Sequence, residues 1–299
     1  MTKKILIIGY GSIGEKHYKI LKKLDFKSEI LVFTNRKNTR VNSTNNINDL
    51  LNFNPNYIFV CSETSKHLND VRFIDKSFKN KIVLIEKPVF HKNVKNKFKN
   101  NLYLVGYNLR FHPVLAFIKK ILKKKNIFSV NIRCSSYLPE WRPNKDYRKS
   151  YSSNKKKGGG VLLDLSHELD YLQWLFGKIT KINRFKVDKI SKLKINVKDF
   201  ALITGKINTI HFYINMNFFS RVNERSITID AKDYSIKGDL LNFKVYLYDK
   251  KKTIFNLKKK NLITYLLQDK NILSKNFNNF CFLKEGLALI KLIKKIDNG

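Results

Sequence analysis

Short apolar runs alternate with longer polar stretches through the first third of the chain. The runs occupy residues 5–8, 30–33, 57–61, 82–85 and 102–106 and consist mainly of Ile, Val, Leu and aromatic residues. Continuous apolar runs of this length are typical of strands buried on both faces. Stretches of helical length separate them, so the pattern predicts βα units and a doubly wound parallel sheet, which is an α/β Rossmann domain.

The pattern changes in the second part of the chain. A lysine-rich amphipathic stretch at 114–124 predicts a helix, and residues 128–136 predict a strand. Alternating segments then follow one another without intervening helices, at residues 201–204, 210–218, 226–231, 234–238 and 243–248. Such strands favour an open, mostly antiparallel sheet, and residues 280–296 predict a closing helix. We therefore expect a Rossmann domain over residues 1–113 and an α+β domain over 114–299.

The composition is strongly basic. The formal net charge is +37, from 60 Lys and Arg residues against 23 Asp and Glu residues. An excess of this size is typical of proteins that bind nucleic acids or anionic surfaces. The lysines are scattered through every predicted helix, strand and loop, however, and no zinc-finger spacing or ribonucleoprotein motif accompanies them. We expect no specific nucleic-acid partner and interpret the charge as a compositional bias.

Cysteine usage and hydropathy indicate the compartment. Cys61, Cys134 and Cys281 lie far apart without paired spacing, which is typical of thiols in a reducing environment. No apolar run approaches the roughly 20 residues of a membrane span. The first apolar run stops at Gly9, and no signal-peptide cleavage site follows it. We expect a cytoplasmic protein without a membrane partner.

A glycine-rich turn follows the first predicted strand. Residues 9–14 read Gly-Tyr-Gly-Ser-Ile-Gly and lead directly into an amphipathic helix. Glycines allow the backbone to approach a pyrophosphate, whose charge the helix N-terminus stabilises. The strand–turn–helix context predicts a dinucleotide site formed by Gly9, Gly11, Ser12, Ile13 and Gly14.

The end of the second predicted strand bears on the choice of dinucleotide. Thr34, Asn35 and Arg36 lie about 20 residues after the last glycine, where this fold places its ribose-contacting residue. An acidic residue there is typical of NAD sites, whereas an arginine can receive a 2′-phosphate. The sequence therefore favours NADP(H), with NAD(H) as the alternative.

Residues 158–177 combine three glycines, a leucine-rich stretch and a closing Gly177. The spacing predicts one helix, on which Asp164, His167 and Asp170 share a side at about 100° per residue. Such a group is compatible with acid–base catalysis, with a structural histidine or with a metal site. The stretch alone does not choose among the three.

Several motifs, in this order, resemble the Gfo/Idh/MocA family of NAD(P)-dependent oxidoreductases, which includes glucose-fructose oxidoreductase and inositol dehydrogenase. The matching segments are residues 9–14 with His17, Ser62-Glu63-Thr64-Ser65-Lys66-His67, Glu86-Lys87-Pro88, residues 106–113, residues 158–177 and, more weakly, Glu285-Gly286-Leu287. They span nearly the whole chain. The resemblance implies a Rossmann domain followed by an α+β domain whose open sheet packs against other subunits.

The resemblance also implies roles for individual residues. It assigns Ser62, Glu63, His67, Glu86 and Lys87 to the cofactor site. Lys87 and His167 match the family's residues for proton transfer at the reacting hydroxyl, with Asp164 positioning the substrate or modulating His167. Asp164 precedes His167 by three residues, whereas the family spacing is usually four, so Asp164 is the weaker assignment. With Lys87 and the glycine turn in place, no metal is expected.

The loop between the predicted strand and the His167 segment carries aromatic and cationic groups suited to sugars and phosphates. The expected substrate-binding residues are Trp141, Arg142, Lys145 and Tyr147, together with Asn108, Arg110, Asp164 and His167. These groups favour an anionic sugar or nucleotide sugar, which suggests a role in surface-glycan synthesis.

The sequence thus predicts hydride transfer between NAD(P)(H) and a sugar hydroxyl or carbonyl carbon. The alternative is a catalytically silent NAD(P)-binding regulator or scaffold of the same fold. Glycosyl hydrolysis with bound NAD also occurs in the broad family. A homo-oligomer formed through the sheet of the second domain is expected.

Overall fold

The computed structural model describes residues 2–37, 39–94, 98–123 and 126–298. Its backbone contacts divide the chain into two compact units. The first unit contains Met1–Asn108 and Tyr265–Lys291, and the second contains Leu109–Thr264 and Leu292–Gly299. The division near residue 108 lies close to the boundary expected at 113. Residues 265–291, however, group with the first unit rather than with the second, to which the sequence pattern assigned them.

The elements follow in chain order. They are β1 (Lys4–Ile8), α1 (Ser12–Leu24), β2 (Glu29–Phe33), β3 (Ser43–Thr44), α2 (Ile47–Phe53), β4 (Tyr57–Val60), α3 (His67–Ser77), β5 (Ile82–Glu86), β6 (Leu102–Gly106), α4 (Pro113–Ile121), β7 (Ile127–Tyr137), α5 (Val161–Asp164), α6 (His167–Phe176), β8 (Lys181–Asp188), β9 (Phe200–Ile207), β10 (Ile210–Asn217), β11 (Phe219–Ala231), β12 (Ser235–Asp239), β13 (Lys244–Tyr248), β14 (Lys252–Asn256), α7 (Ile263–Leu273), β15 (Cys281–Phe282) and α8 (Leu283–Asn298). The end of the helix expected over 114–124 lies outside the described residues at 124.

The first unit is a Rossmann fold. Its sheet has the order β15-β6-β5-β4-β1-β2-β3, and every pair is parallel except β15 with β6. The central strands are buried on both faces; all four residues of β4 are buried, for example. The five predicted strands and the doubly wound topology are therefore confirmed. The apolar runs made this predictable because a strand covered by helices on both sides has no polar face.

The chain returns to this sheet near its C-terminus, which the sequence pattern did not indicate. β15 pairs with the free edge of β6 through Cys281 and Phe282. α8 begins directly afterwards and packs closely, because a Cβ on Gly286 would lie 2.8 Å from a methyl carbon of Val105. α7, which was also not predicted, supplies residues to the same unit.

The second unit contains an eight-stranded sheet of order β14-β13-β12-β11-β7-β10-β9-β8. All neighbours are antiparallel except β10 and β7, so the expected open, mostly antiparallel sheet is confirmed. A row of isoleucines from adjacent strands lines the buried face: Ile203, Ile214, Ile132 and Ile227. Helix α4 packs on this face at Gly238, where a Cβ would lie 2.7 Å from Ile118.

No helix in the described part of the chain is long and apolar enough to cross a membrane. The three cysteines are buried and do not form disulfides with one another. Within the same residues, no group of three or more His, Cys, Asp or Glu side chains is arranged to hold a metal ion.

The single helix predicted from residue 161 to Gly177 is wrong. α5 ends at Asp164 and α6 begins at His167, and the turn between them breaks the i to i+4 hydrogen-bond ladder. The amide of Glu168 instead donates to the carbonyl of Leu165, only three residues back. The rotation of 100° per residue therefore does not carry across the break. Gly177 does end α6, with a φ of 105° that favours glycine.

Two ion pairs, one fully buried and one partly buried, hold the first turn of α6. Arg110 donates to both carboxylate oxygens of Asp170 through Nε and Nη2, with the shortest distance 2.7 Å. Arg225 contacts Glu168 at 2.8 and 3.0 Å. The side chains of Arg110 and Asp170 are only 4% and 3% exposed. These contacts give the Arg110 guanidinium a structural partner inside the unit, and the substrate role expected for Arg110 stays a prediction.

We expect Arg110→Met to lower the free energy of unfolding by about 3–5 kcal/mol, because it leaves the Asp170 carboxylate buried without its cation. The double variant Arg110→Met with Asp170→Leu should recover most of that loss. Arg221→Met, which removes the cation from an exposed pair with Glu140, should cost about 1 kcal/mol or less. Urea unfolding measures all three, and wild-type stability in Arg110→Met would contradict the structural role of this ion pair.

Candidate active site

The glycine turn after β1 has room for nothing larger than glycine at two positions. Gly9 has a φ of 92°, and a Cβ there would lie 2.6 Å from the amide nitrogen of Ser62. A Cβ on Gly14 would lie 2.2 Å from the carbonyl oxygen of Gly9. The predicted turn is thus required by the close approach of α1 and of the loop after β4 to the end of β1.

Gly11 is different, because it leaves space open. A Cβ built on Gly11 would meet nothing within 4 Å. Gly11 is the N-cap of α1, and no side chain caps the helix there; Ser12 and Ile13 form its first turn. Backbone amides at an open helix N-terminus fit a pyrophosphate. The residues predicted for the dinucleotide therefore form a surface that a dinucleotide can use.

The three residues after β2 carry no carboxylate. The amide of Arg36 donates to the hydroxyl of Thr34 at 3.1 Å, and Asn35 between them is exposed. The Arg36 guanidinium contacts Glu15 of α1 at 2.5 Å and the carbonyl of Tyr10 at 3.4 Å. Arg36 therefore lies beside the glycine turn, and its acidic partner Glu15 was not identified from the sequence.

The loop after β4 holds three predicted cofactor residues. The Ser62 hydroxyl donates to Asp70, and Glu63 is an exposed residue 3.9 Å from Lys66. His67 is 1% exposed, and burial lowers its pKa. Its Nε2 lies 3.0 Å from the Ser62 carbonyl oxygen. The contacts of His67 are thus internal to the fold, and the cofactor contact expected of it stays a prediction.

A buried charged cluster lies at the end of β5. His17 of α1 is completely buried, with Nδ1 2.8 Å from Asp269 of α7 and Nε2 3.2 Å from Glu86. Burial would lower the pKa of His17, but the negative charges of Asp269 and Glu86 outweigh it and raise this pKa to about 10. The imidazole is therefore positively charged at neutral pH. Glu86 is bonded to His17 within this cluster, and the cofactor role expected of it stays a prediction.

Lys87 follows Glu86 directly and is partly exposed. The Lys87-Pro88 peptide is cis. β5 and β1 run parallel on either side of β4, so Lys87 and the glycine turn follow strands at the same edge of the sheet. This edge is where open α/β sheets bind their ligands.

In the second unit, Asp164 and His167 occupy consecutive helix ends. Asp164 is the last residue of α5 and is 9% exposed; His167 is the first residue of α6 and is 7% exposed. Both side chains are largely withdrawn from water. Their catalytic roles stay predictions.

The loop after β7 folds into short 3₁₀ turns. Trp141 donates to Ser136 at 2.7 Å and packs edge-on against Phe218, which accounts for it within the unit. Arg142 and Lys145 are exposed, and the Tyr147 hydroxyl accepts from the amide of Lys194 at 3.3 Å. Residues 143–148 and Lys194 line an open cavity of about 660 Å³, which includes Lys145 and Tyr147 but neither Trp141 nor Arg142.

Asn108 is buried at the start of the 3₁₀ turn Asn108–Phe111. Its substrate role, like those of the other substrate residues, stays a prediction. Sequence reasoning missed Asp269 and Arg225, whose partners lie 252 and 57 positions away. A weak signal existed for Asp269, because it is an acid within a mostly apolar segment of a chain that has few acids.

Two family models match the chain. The model described as "Oxidoreductase family, NAD-binding Rossmann fold" matches residues 3–99. The model described as "GFO/IDH/MocA C-terminal domain" matches residues 125–237. Together the two matches cover well over half of the chain, in the order and at the places where the sequence motifs and the two sheets lie.

Known proteins agree with these matches. The levoglucosan dehydrogenase of Pseudarthrobacter phenanthrenivorans is 25% identical over 151 residues, which span 48% of this chain and only 38% of that protein. A structure of levoglucosan dehydrogenase with NADH is 13% identical, with a TM-score of 0.83 over 100% of this chain and 96% of that one. The WlbA dehydrogenase from Bordetella pertussis, in complex with NADH and UDP-GlcNAcA, is 15% identical, with a TM-score of 0.77 over 100% and 96%. At these identities, the solved structures show a shared fold. The chain therefore belongs to the Gfo/Idh/MocA family of oxidoreductases.

Proposed function

We propose that the chain is an NAD(P)-dependent oxidoreductase that moves a hydride between the cofactor and a sugar carbon bearing a hydroxyl or carbonyl group. The observation that carries this proposal is the edge of the first sheet, where Gly11 opens the N-terminus of α1 and Lys87 follows β5. Nicotinamide accepts or donates the hydride when the cofactor is bound. The residues of the chain have to orient the sugar and move the proton of its hydroxyl.

Lys87 is the residue proposed to touch the reacting hydroxyl. A lysine can accept a proton when burial or neighbouring cations lower its pKa, and otherwise it stabilises developing negative charge as a hydrogen-bond donor. His167 is the second proton-transfer group, and Asp164 is proposed to orient the substrate or His167. The low exposure of Asp164 and His167 supports these roles, because water competes less for a proton that is transferred at a buried group.

The substrate proposed is an anionic sugar such as a nucleotide sugar, and the pathway proposed is surface-glycan synthesis. Lys145 and Tyr147 in the open cavity support the anionic substrate, as do Lys194 and Arg148 beside them. Among proteins of this fold, one is crystallised with UDP-GlcNAcA and another with levoglucosan. The first substrate has the chemistry proposed here, and the second is a neutral sugar that serves as the comparison.

For the cofactor, we propose that NADP(H) is preferred and that NAD(H) is also used. No acid follows β2, and Arg36 beside the glycine turn can receive a 2′-phosphate. The family model is described as NAD-binding, and two solved relatives contain NADH. The contact between Arg36 and Glu15 has to open or be shared for the phosphate to bind.

We also propose a homo-oligomer formed through the open face of the second sheet. The helices α4 and α5 pack on the isoleucine face, and the opposite face exposes Leu202, Tyr213 and Ile254. Large apolar side chains on a broad sheet face are typical of a surface that another chain covers. A second copy of this chain is the occupant that the family resemblance implies.

Lys87→Ala should lower turnover by about 10²–10⁴-fold, because general acid–base groups contribute on that scale. NADH binding, measured by fluorescence, should change by less than about threefold. Turnover is followed by nicotinamide absorbance with UDP-N-acetylglucosamine, UDP-GlcNAcA, levoglucosan and myo-inositol. Lys92→Ala, at an exposed lysine five positions along the chain, is the matched control. Equal turnover in Lys87→Ala and wild type would refute the catalytic role of Lys87. A wild-type protein that turns over myo-inositol faster than the nucleotide sugars would refute the proposed anionic substrate.

Arg36→Ala should weaken NADP(H) binding about tenfold or more while leaving NAD(H) within about twofold, because only the 2′-phosphate loses a charged hydrogen bond. Titration of both cofactors against Arg36→Ala and the neighbouring control Lys37→Ala gives the two ratios. An unchanged NADP(H)-to-NAD(H) ratio in Arg36→Ala would contradict the proposed preference.

Tyr213→Glu should reduce the mass in solution to that of a single chain, because the substitution places a charge in the proposed interface. Phe26→Glu, at an aromatic residue of the first unit that is 77% exposed, should leave the mass unchanged. Light scattering after size exclusion measures the mass. A wild-type protein that is monomeric at high concentration would disprove the interface.

A further inference from the structure

Two buried histidines contact the residues on either side of Lys87. His17 contacts Glu86, the residue before Lys87, and His67 contacts the backbone carbonyls of the two residues after it. We propose that His17, bonded to Asp269 and Glu86, and His67 are positioning residues that fix Lys87 for the reaction. This inference rests on the proposed function, in which Lys87 is catalytic.

The geometry around His17 places a carboxyl group at each ring nitrogen. Nδ1 lies 2.8 Å from Asp269 and Nε2 lies 3.2 Å from Glu86. Both neighbours are carboxylates, which only accept hydrogen bonds when they are ionised. A neutral imidazole has one N–H and could satisfy only one of them. The charge of Asp269 therefore keeps the ring able to donate to Glu86 as well.

Glu86 transmits this constraint to Lys87. Its side chain is 8% exposed, and its Oε1 lies where a side chain at Gly106 would be, only 2.6 Å from a Cβ built there. The carboxylate is thus held between His17 and the backbone of β6. Because Glu86 is the last residue of β5, a carboxylate that cannot move fixes the backbone from which Lys87 extends.

His67 fixes the other side of Lys87. Its Nδ1 lies 3.2 Å from the carbonyl oxygens of both Pro88 and Val89, and its Nε2 faces the carbonyl of Ser62. The ring therefore lies between the loop after β4 and the segment after β5 and, being neutral, donates its one N–H to one of them. Catalytic side chains that are off their productive position by about 1 Å can lose 10²-fold in rate, so two anchors next to Lys87 have a direct chemical consequence.

The groups that face His17 decide how this arrangement responds to pH. Asp269 and Tyr265 face it from α7, Glu86 faces it from β5, and Cys61 lies nearby after β4. Burial raises the pKa of Tyr265 and of Cys61, so both stay neutral. The two carboxylates therefore raise the pKa of His17 to about 10, while burial also raises the pKa of Asp269.

Asp269→Asn tests the proposal. It keeps an oxygen for Nδ1 but removes the charge that raises the pKa of His17. The ring should then lose its second proton at a lower pH than in the wild type, and its bond to Glu86, no longer assisted by the charge of the ring, should weaken over the range from about pH 7 to pH 9. We expect kcat with UDP-N-acetylglucosamine, or with levoglucosan if that sugar reacts faster, to fall about tenfold across this range in the variant alone. KM and NADH affinity should stay within about threefold.

Hydrogen exchange of the protein without cofactor supplies a readout independent of turnover. Amides in the peptide covering residues 82–91 should exchange faster in Asp269→Asn, and more so at pH 9 than at pH 7. His67→Phe should raise exchange in the same peptide without the added pH dependence. If Asp269→Asn does not fold, His17→Gln, which keeps an uncharged donor for Glu86, takes its place and should raise exchange to a similar extent at both pH values.

Asp199→Asn is the matched control. Asp199 is a completely buried acid of the second unit, bonded to Ser191, and its loss should change neither the pH profile nor exchange in residues 82–91. Wild-type exchange and a wild-type pH profile in Asp269→Asn would overturn the proposal. Full turnover in Lys87→Ala, together with raised exchange in Asp269→Asn, would instead overturn the proposed function and reduce the cluster to a structural role.

Discussion

A charged imidazole buried between two carboxylates joins three elements of the first unit. His17 comes from α1, Glu86 from β5 and Asp269 from α7. Removing charges from water is costly, so each member needs the other two, and loss of one leaves an uncompensated charge in the core. The glycine turn lies at one end of α1, and Lys87 lies at the end of β5. Both therefore depend on Asp269, which follows the main segment of the second unit in the sequence.

The second unit uses the same device around its own candidate residue. His167 is followed at once by Glu168, whose carboxylate is bonded to Arg225, and then by Asp170, which is bonded to Arg110. Acids in the first turn of a helix are also favoured by its dipole. In both units, a candidate proton-transfer group thus lies next in sequence to a buried acid that a cation holds in place. Rigid neighbours of this kind restrict the reactive side chain to few positions.

The same pairs explain how so basic a chain can form stable cores. The sequence has 60 Lys and Arg residues against 23 Asp and Glu residues, and several of the acids are buried with a cationic partner. Nearly all the unpaired excess must then lie at the surface, where water and salt screen it. The charge is therefore compatible with a cofactor-binding enzyme and does not require a nucleic-acid partner.

The sequence by itself determined the features that arise from short-range physics. Apolar runs located the strands of the first sheet, strict glycine positions located the turn at Gly9 and Gly14, and Gly177 marked the end of α6. Each reflects a local requirement, either a strand covered on both faces or a backbone with no room for a Cβ. The motif order was also enough to indicate the family and the residues proposed for the cofactor.

Only the tertiary structure decided which charged groups meet. The partners of Arg110 and His17 lie 60 and 252 positions away in the sequence. From the sequence alone, arginine, histidine and acidic side chains would suit a substrate, a cofactor or a metal equally well. The break between α5 and α6 and the return of β15 to the first sheet are likewise set by packing. Local periodicity cannot report such contacts, because it records which face of an element is buried but not which element covers it.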